Sequence, residues 1–177
     1  MAWTTLPTYT DGTALTAAML NAIKGNINES AAAKATTGAQ YFVSTAANTL
    51  AARTVDQDIV DTENTRTITT YGSLATNGPT VTMTTGTRAL TWITSAMKTN
   101  VNGANAYVSI NVSGASTIAP TDERGITWQG DADRYERWTV CALFTTLTAG
   151  SNTLEHQYRV DTNTGSFKWR RIAVMGF

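Results

Sequence analysis

One histidine, one cysteine and two groups of carboxylates are the side chains here whose types suit catalysis or metal binding. His156 stands in phase with Leu154, Tyr158 and Val160, so it reads as a satisfied core or interface residue on an apolar strand face rather than a base. Cys141 as a nucleophile needs a base such as His156 within reach. The two fall on different expected strands, and nothing in the local sequence joins them. A lone cysteine forms no intrachain disulfide, and Cys141 reads as a small buried hydrophobe. Asp131, Asp133 and Glu136 are spaced as paired glycosidase carboxylates would be. Arg134 and Arg137 interleave with them, so a charged loop or an intersubunit ion-pair cluster is the better reading. Asp56, Asp58, Asp61 and Glu63 imitate a calcium loop, but the Asp-x-Asp-x-Asp-Gly order with a twelfth-position Glu is absent. That stretch reads as a solvated linker. There is no phosphate-binding loop, paired cysteine spacing or nucleophile elbow. We expect a non-enzymatic protein with no metal and no cofactor.

The bulk of the chain points the same way. Thirteen basic residues balance thirteen acidic ones in 177, and only 15% are charged. Binding to nucleic acid or to a membrane surface draws on a cationic surface, so neither is an expected partner. No apolar run approaches the ~20 residues of a membrane span. The opening MAWTTLPTYT has neither the basic region nor the apolar core of a secretory leader. Thr makes up about a fifth of the residues; it is β-branched yet polar, and suits the wet face of a strand. Low charge with abundant Thr, Ala, Asn and Gly is the composition of a surface packed against copies of itself.

Four segments follow from patterning. Residues 1–12 form an extended arm, aperiodic but carrying Trp3, Leu6, Pro7 and Tyr9, which want cover. Residues 13–37 read as a helix with a narrow stripe of Met19, Ile23, Ile27 and Ala31. Residues 38–65 read as a short hairpin, 41–44 with 50–55 around Ala47-Asn48, then the acidic linker. Residues 66–177 hold about eight short strands separated by turn signals such as Asn77-Gly78-Pro79 and Asn102-Gly103, which is the pattern of a mainly β, jelly-roll-like antiparallel sandwich. The last stretch, 147–177, reads as a hairpin about the turn at 161–165. Its second run changes phase: Phe167 and Trp169 share one face, Ile172 and Val174 the other. Arg170-Arg171 therefore marks a bulge or a strand covered on both faces, and the strand belongs inside a sandwich or at a subunit contact. Exposed aromatics at loop tips, such as Trp128 or Tyr135, would suit a ligand surface.

Several stretches resemble virion structural proteins of tailed bacteriophages. WTTLPTYTDGTALTAAMLNAIKGNINE is similar to their N-termini, in which Trp and Pro precede a Gly-hydroxyl step and a helix bearing Met and Asn, here Met19 and Asn21. AQYFVSTAANTLAART is similar to a motif of tail and fibre proteins. VSINVSGAS, LTAGSNTLEHQYRV and RRIAVMGF resemble trimeric jelly-roll heads of decoration and fibre proteins. The resemblance implies a non-enzymatic virion protein, a homotrimer, without deciding its address in the particle. Small size, the apolar arm, the jelly-roll pattern and the lack of a long fibre shaft lead to the expectation of a capsid decoration (minor capsid) protein on the outer capsid surface that stabilises the shell and is assembled in the host cytoplasm. The alternative is a tail fibre or receptor-binding tip for host surface glycans. On that reading Trp3, Leu6, Pro7, Tyr9, Met19 and Ile23 contact the major capsid protein, and Tyr158, Phe167, Trp169 and Arg171 form the trimer interface.

Overall fold

Period-two alternation decides the architecture. In β9 (Gly150–Val160) Asn152, Leu154, His156, Tyr158 and Val160 are buried and the residues between them are not, as in a strand with one face in a core and one in water. β4 (Thr80–Thr85) buries Val81, Met83 and Thr85, and β6 (Asn105–Gly114) buries Ala106, Val108, Ile110 and Val112. The computed structural model describes residues 16–18, 20–24, 40–46, 49–130, 132 and 134–177. Two compact units divide the chain after Thr54.

In the first unit, residues 17–18 and 20–24 are helical, and the Leu20 N–H donates to the Thr16 carbonyl at 3.1 Å. They fall within the helix expected over 13–37; most of that helix, and the arm, lie outside the described residues. β1 (Gln40–Ala46) pairs antiparallel with residues 49–54 of β2 (Thr49–Val60), Phe42 opposite Ala52. This is the expected hairpin with longer strands.

The second unit is a sandwich of two antiparallel sheets. The front sheet runs, in order, residues 55–60 of β2, β10 (Gly165–Gly176), β5 (Ala89–Thr99) and β8 (Glu136–Phe144), with β3 (Asn64–Arg66) also on β10. The back sheet runs β4, β9, β6 and β7 (Ile126–Gln129). The pairs nest. β6 joins β7, β5 joins β8, β4 joins β9, and β2 with β3 joins β10. Successive nested pairs alternate between the sheets, as when one long antiparallel ribbon is rolled up: the jelly-roll arrangement. The mainly β class and the jelly-roll-like sandwich are therefore as expected.

Two sequence expectations change, and a third point left open between alternatives is decided. First, 147–177 is not a hairpin. β9 pairs with β4 and β6, while β10 pairs with β5 and β2. The turn carries the chain from one sheet to the other, so the two strands face each other across the core. Second, the acidic stretch is not a linker. Residues 55–60 pair with β10, and β3 follows. The Asp58 carboxylate accepts the Thr80 and Ile59 backbone N–H groups, each at 2.8 Å. The sandwich thus starts earlier than residue 66, whereas residues 67–79 run as an irregular strap along β9, hydrogen-bonded through Ile68, Gly72 and Pro79. Of the two alternatives for the phase change in β10, the structure has the bulge: Lys168 sits opposite Ala96 and Arg171 opposite Thr94, so two residues oppose Ser95. The extra residue returns Phe167, Ile172 and Val174 to one face, all buried in the same core.

Candidate binding surface

The bulge sorts two consecutive side chains into opposite environments. Trp169 has φ +49, in the left-handed region where a residue with a Cβ is strained by roughly 1–2 kcal/mol and where a bulge of this kind ordinarily carries glycine. Its indole remains 44% exposed, so core burial does not offset that strain. Arg170 turns inward and is fully buried. Its guanidinium donates to the carbonyls of Thr62 and Thr76 and to Asn64 Oδ1, at 3.0–3.2 Å, tying the strap and the β2–β3 connection to β10. It also lies 5.5 Å from the Tyr158 ring centre.

His156 shares this interior. It is fully buried and neither ring nitrogen has a hydrogen-bond partner. Burial, and then the Arg170 charge, push its pKa down to about 3, because a desolvated imidazolium beside a guanidinium is doubly unfavourable. The expectation of a core histidine holds. Gly78 passes so close that a Cβ there would stand 2.7 Å from the Tyr158 hydroxyl and 2.8 Å from His156.

The other candidates separate. Cys141 is exposed, on the outer face of the front sheet, so the buried-hydrophobe reading is corrected. The pleat turns it outward beside Trp92, while Ala142 and Phe144 turn in. His156 lies inside, on the back sheet, so the two are not brought together. Glu136 pairs with Arg134 at 2.6 Å; Asp131 and Asp133 lie outside the described residues. Among the described residues no three His, Cys, Asp or Glu side chains gather as metal ligands would. Tyr158 and Phe167, expected at a subunit contact, stack in the core at 4.9 Å with no accessible surface. Both alternate inward on strands that face each other, so neither reaches another chain. Trp169 and Arg171 are exposed. Ile23 is helical and half-buried; Trp3, Leu6, Pro7, Tyr9 and Met19 lie outside the described residues. Trp128 is half-buried against Trp138, ring centres 5.6 Å apart, at the sandwich edge.

The surface that sequence reasoning missed is the outer face of the front sheet. One half is apolar. Val55 and Ile59 on β2, Leu90 and Trp92 on β5, Leu143 on β8 and Met175 on β10 alternate outward with Cys141 and Ala173. Leu143 is 54% exposed and Trp92 37%. The other half is cationic and aromatic. Lys168 Nζ lies 3.7 Å from the Tyr135 ring centre and 4.3 Å from that of Trp169, and Lys98 Nζ lies 4.9 Å from Tyr135. Burial, then neighbouring Glu63, push the Tyr135 phenol upward. The signal was present in the composition of β5, β8 and β10. It became legible only with the register, because these residues come from distant parts of the chain.

No family model matches the sequence, and no curated protein does. Among solved structures, a chain in the structure of infectious bursal disease virus, Gx strain, aligns with TM-score 0.49 and 11% identity over 76% of this chain and 36% of that one. A carbohydrate-binding module from Cellvibrio mixtus lichenase 5A, in complex with cellotriose, aligns with TM-score 0.33 and 13% identity over 66% of this chain and 95% of that one. This chain thus spans about a third of the viral chain. The architecture rests on the strand pairing described above.

Proposed function

We propose that this is a non-enzymatic capsid decoration (minor capsid) protein, a homotrimer held on the outer capsid surface by contacts with the major capsid protein. The observation that carries the reading is the apolar half-face of the front sheet. Contiguous exposed apolar patches mark protein–protein contacts. Away from Ile59, which lies opposite Arg171, this patch bears no like charges to repel a symmetry copy, which suits a second copy of the same chain as its occupant. The trimer contact is therefore assigned to Leu90, Trp92, Leu143 and Met175. The phage resemblance of the sequence supplies the virion setting, and the arm with Trp3, Leu6 and Tyr9 supplies attachment to the shell. Three weak anchors on one rigid body bind with far greater avidity than one.

The test uses particles lacking this component. Full-length protein should have about three times the mass of the 18.9 kDa chain by light scattering and should coat the particles in many copies. Protein lacking residues 1–12 should stay trimeric and fail to coat them. A monodisperse monomer at high concentration would overturn the trimer, and equal occupancy by the truncated protein would move attachment elsewhere. A second reading, a receptor-binding tail tip for host surface glycans, is favoured by the exposed Trp169 beside Tyr135. A few copies confined to the tail would establish it instead.

A further inference from the structure

The half of the front face around the bulge has a composition that an assembly contact does not explain. Trp169 keeps a left-handed backbone that glycine would hold without strain, yet its indole is turned out to solvent. Strain maintained at an exposed aromatic points to a use for the side chain outside the fold. The register places cations around it. Lys168 and Arg137 both lie opposite Ala96, Arg171 lies opposite Thr94, and Lys98 is the next outward residue of β5. Tyr135 enters the same surface just before β8, with Glu63 as the neighbouring carboxylate. Four cations and two rings thus gather on one end of a face in a chain whose charges sum to zero.

We propose that Lys98, Tyr135, Arg137, Lys168, Trp169 and Arg171 form a binding site for an anionic saccharide, a sugar polymer bearing carboxylate or phosphate groups. A sugar ring has polarised C–H groups on its faces and hydroxyls at its rim. Its C–H face stacks on the electron-rich plane of an indole or phenol. Its acidic groups meet the guanidinium and ammonium donors, which bind anions through charge-assisted hydrogen bonds. A single-stranded nucleic acid would offer phosphates and stacking bases too, but it tracks along an extended cationic groove. This patch spans two inter-strand spacings, roughly 10 Å, and gives way to an apolar surface. Lys168 also stands over both rings, so neither presents two clear faces to a sandwiched base. The site is independent of the decoration reading: it exists on one protomer and is open whether the particle address is capsid or tail.

The experiment is titration calorimetry with full-length protein against four probes. These are oligogalacturonate, its methyl ester of the same length, a phosphodiester-linked saccharide and oligo(dT) of matched charge. Either acidic saccharide should bind with an affinity that falls with salt, and whichever binds tells carboxylate from phosphate. The methyl ester should bind at least about tenfold more weakly than the free acid when the carboxylate is the recognised group. Trp169→Gly and Lys168→Gln should each weaken binding of the acidic saccharide by about tenfold or more, while Trp169→Gly melts at or above the wild-type temperature. The site is overturned if neither acidic saccharide binds, if oligo(dT) binds more tightly than both, or if Trp169→Gly keeps full affinity. A lower melting temperature for Trp169→Gly would overturn the argument from strain, because the indole would then serve the fold. None of these outcomes depends on particles or on trimer mass.

Discussion

The two outer faces of the sandwich are built on the same pleat and finished differently. On the back sheet the outward positions of β4, β9, β6 and β7 are Thr, Ser, Glu, Gln, Arg, Asn and Tyr, without one aliphatic side chain. They satisfy one another. Thr82 and Thr153 share a hydrogen bond at 2.8 Å, and Ser73 donates to Glu155 at 3.1 Å. Arg159 forks onto Asp122, which also accepts the Tyr71 hydroxyl, and its guanidinium lies 3.5 Å from the Tyr107 ring centre. The Arg159 hydrogen bond holds the Asp122 carboxyl below its ordinary range. On the front sheet the same geometry presents Leu90, Trp92, Leu143 and Met175, then Lys168 and Trp169. A face whose polar groups already pair with one another has little to gain from a partner. One that leaves apolar area and indole rings in water gains from being covered. The difference therefore locates interaction on the front sheet.

The most damaging test of that contrast places a charge on each face. Leu143→Glu should convert the proposed trimer to a monomer, because a carboxylate facing its own symmetry copies is both desolvated and repelled. Thr82→Glu, on the back, should leave the mass unchanged. Cys141 lies opposite Trp92 in the register and serves as a built-in probe: a thiol reagent should label it quickly in the Leu143→Glu monomer and slowly in the wild-type trimer. Loss of the trimer by the back-face variant instead would reverse the assignment.

Next in size is a change between the faces. Arg170→Leu should destabilise the protein by about 1–3 kcal/mol, since three part-buried hydrogen bonds from a charged donor are lost. Urea denaturation gives that value, and an unchanged midpoint would show that the strap is not held by Arg170.

Acid should act through His156. The unfolded chain takes up a proton near pH 6.5, the ordinary histidine value, whereas the folded imidazole resists until about pH 3. Between these values the unfolded state binds the extra proton. Stability is thus full above about pH 6.5 and falls by about 1.4 kcal/mol per unit as the pH drops through that window. His156→Gln should flatten this slope without altering trimer mass at neutral pH. A slope identical to wild type would exclude His156 as its source.

The smallest effect belongs to the finished face. Asp122→Asn should cost about 0.5–1 kcal/mol in low salt and less in high salt, as for other exposed ion pairs. Its oligomeric state and saccharide binding should be unaffected. A change in either would show that the back face also meets a partner.

Much of the fold was present in residue order. Alternation in β4, β6 and β9 gave strands and their buried sides, because the pleat admits only one assignment of in and out for such a pattern. The broken phase at Arg170-Arg171 narrowed the strand to a bulge or cover on both faces, and only the register decided for the bulge. Order could not tell which strands pair. A turn such as 161–164 serves a hairpin or a crossing between sheets equally well, so β9 and β10 read as partners although they oppose each other across the core. Nor could it tell that Asp56 to Val60 is a strand: an Asp-Gln-Asp run before Ile59 and Val60 is compatible with a solvated loop until β10 lies beside it. Tyr158 and Trp169 show the same limit. Both are large aromatics in strand runs, one sealed in the core and the other held outside, and a single left-handed residue separates the outcomes. Side-chain type and spacing are local, and they determined the strands, the turns and the absence of a recognisable catalytic motif. Pairing, register and the gathering of Lys98, Tyr135, Lys168 and Trp169 depend on contacts between residues far apart in the chain. Only closure of the roll decided those.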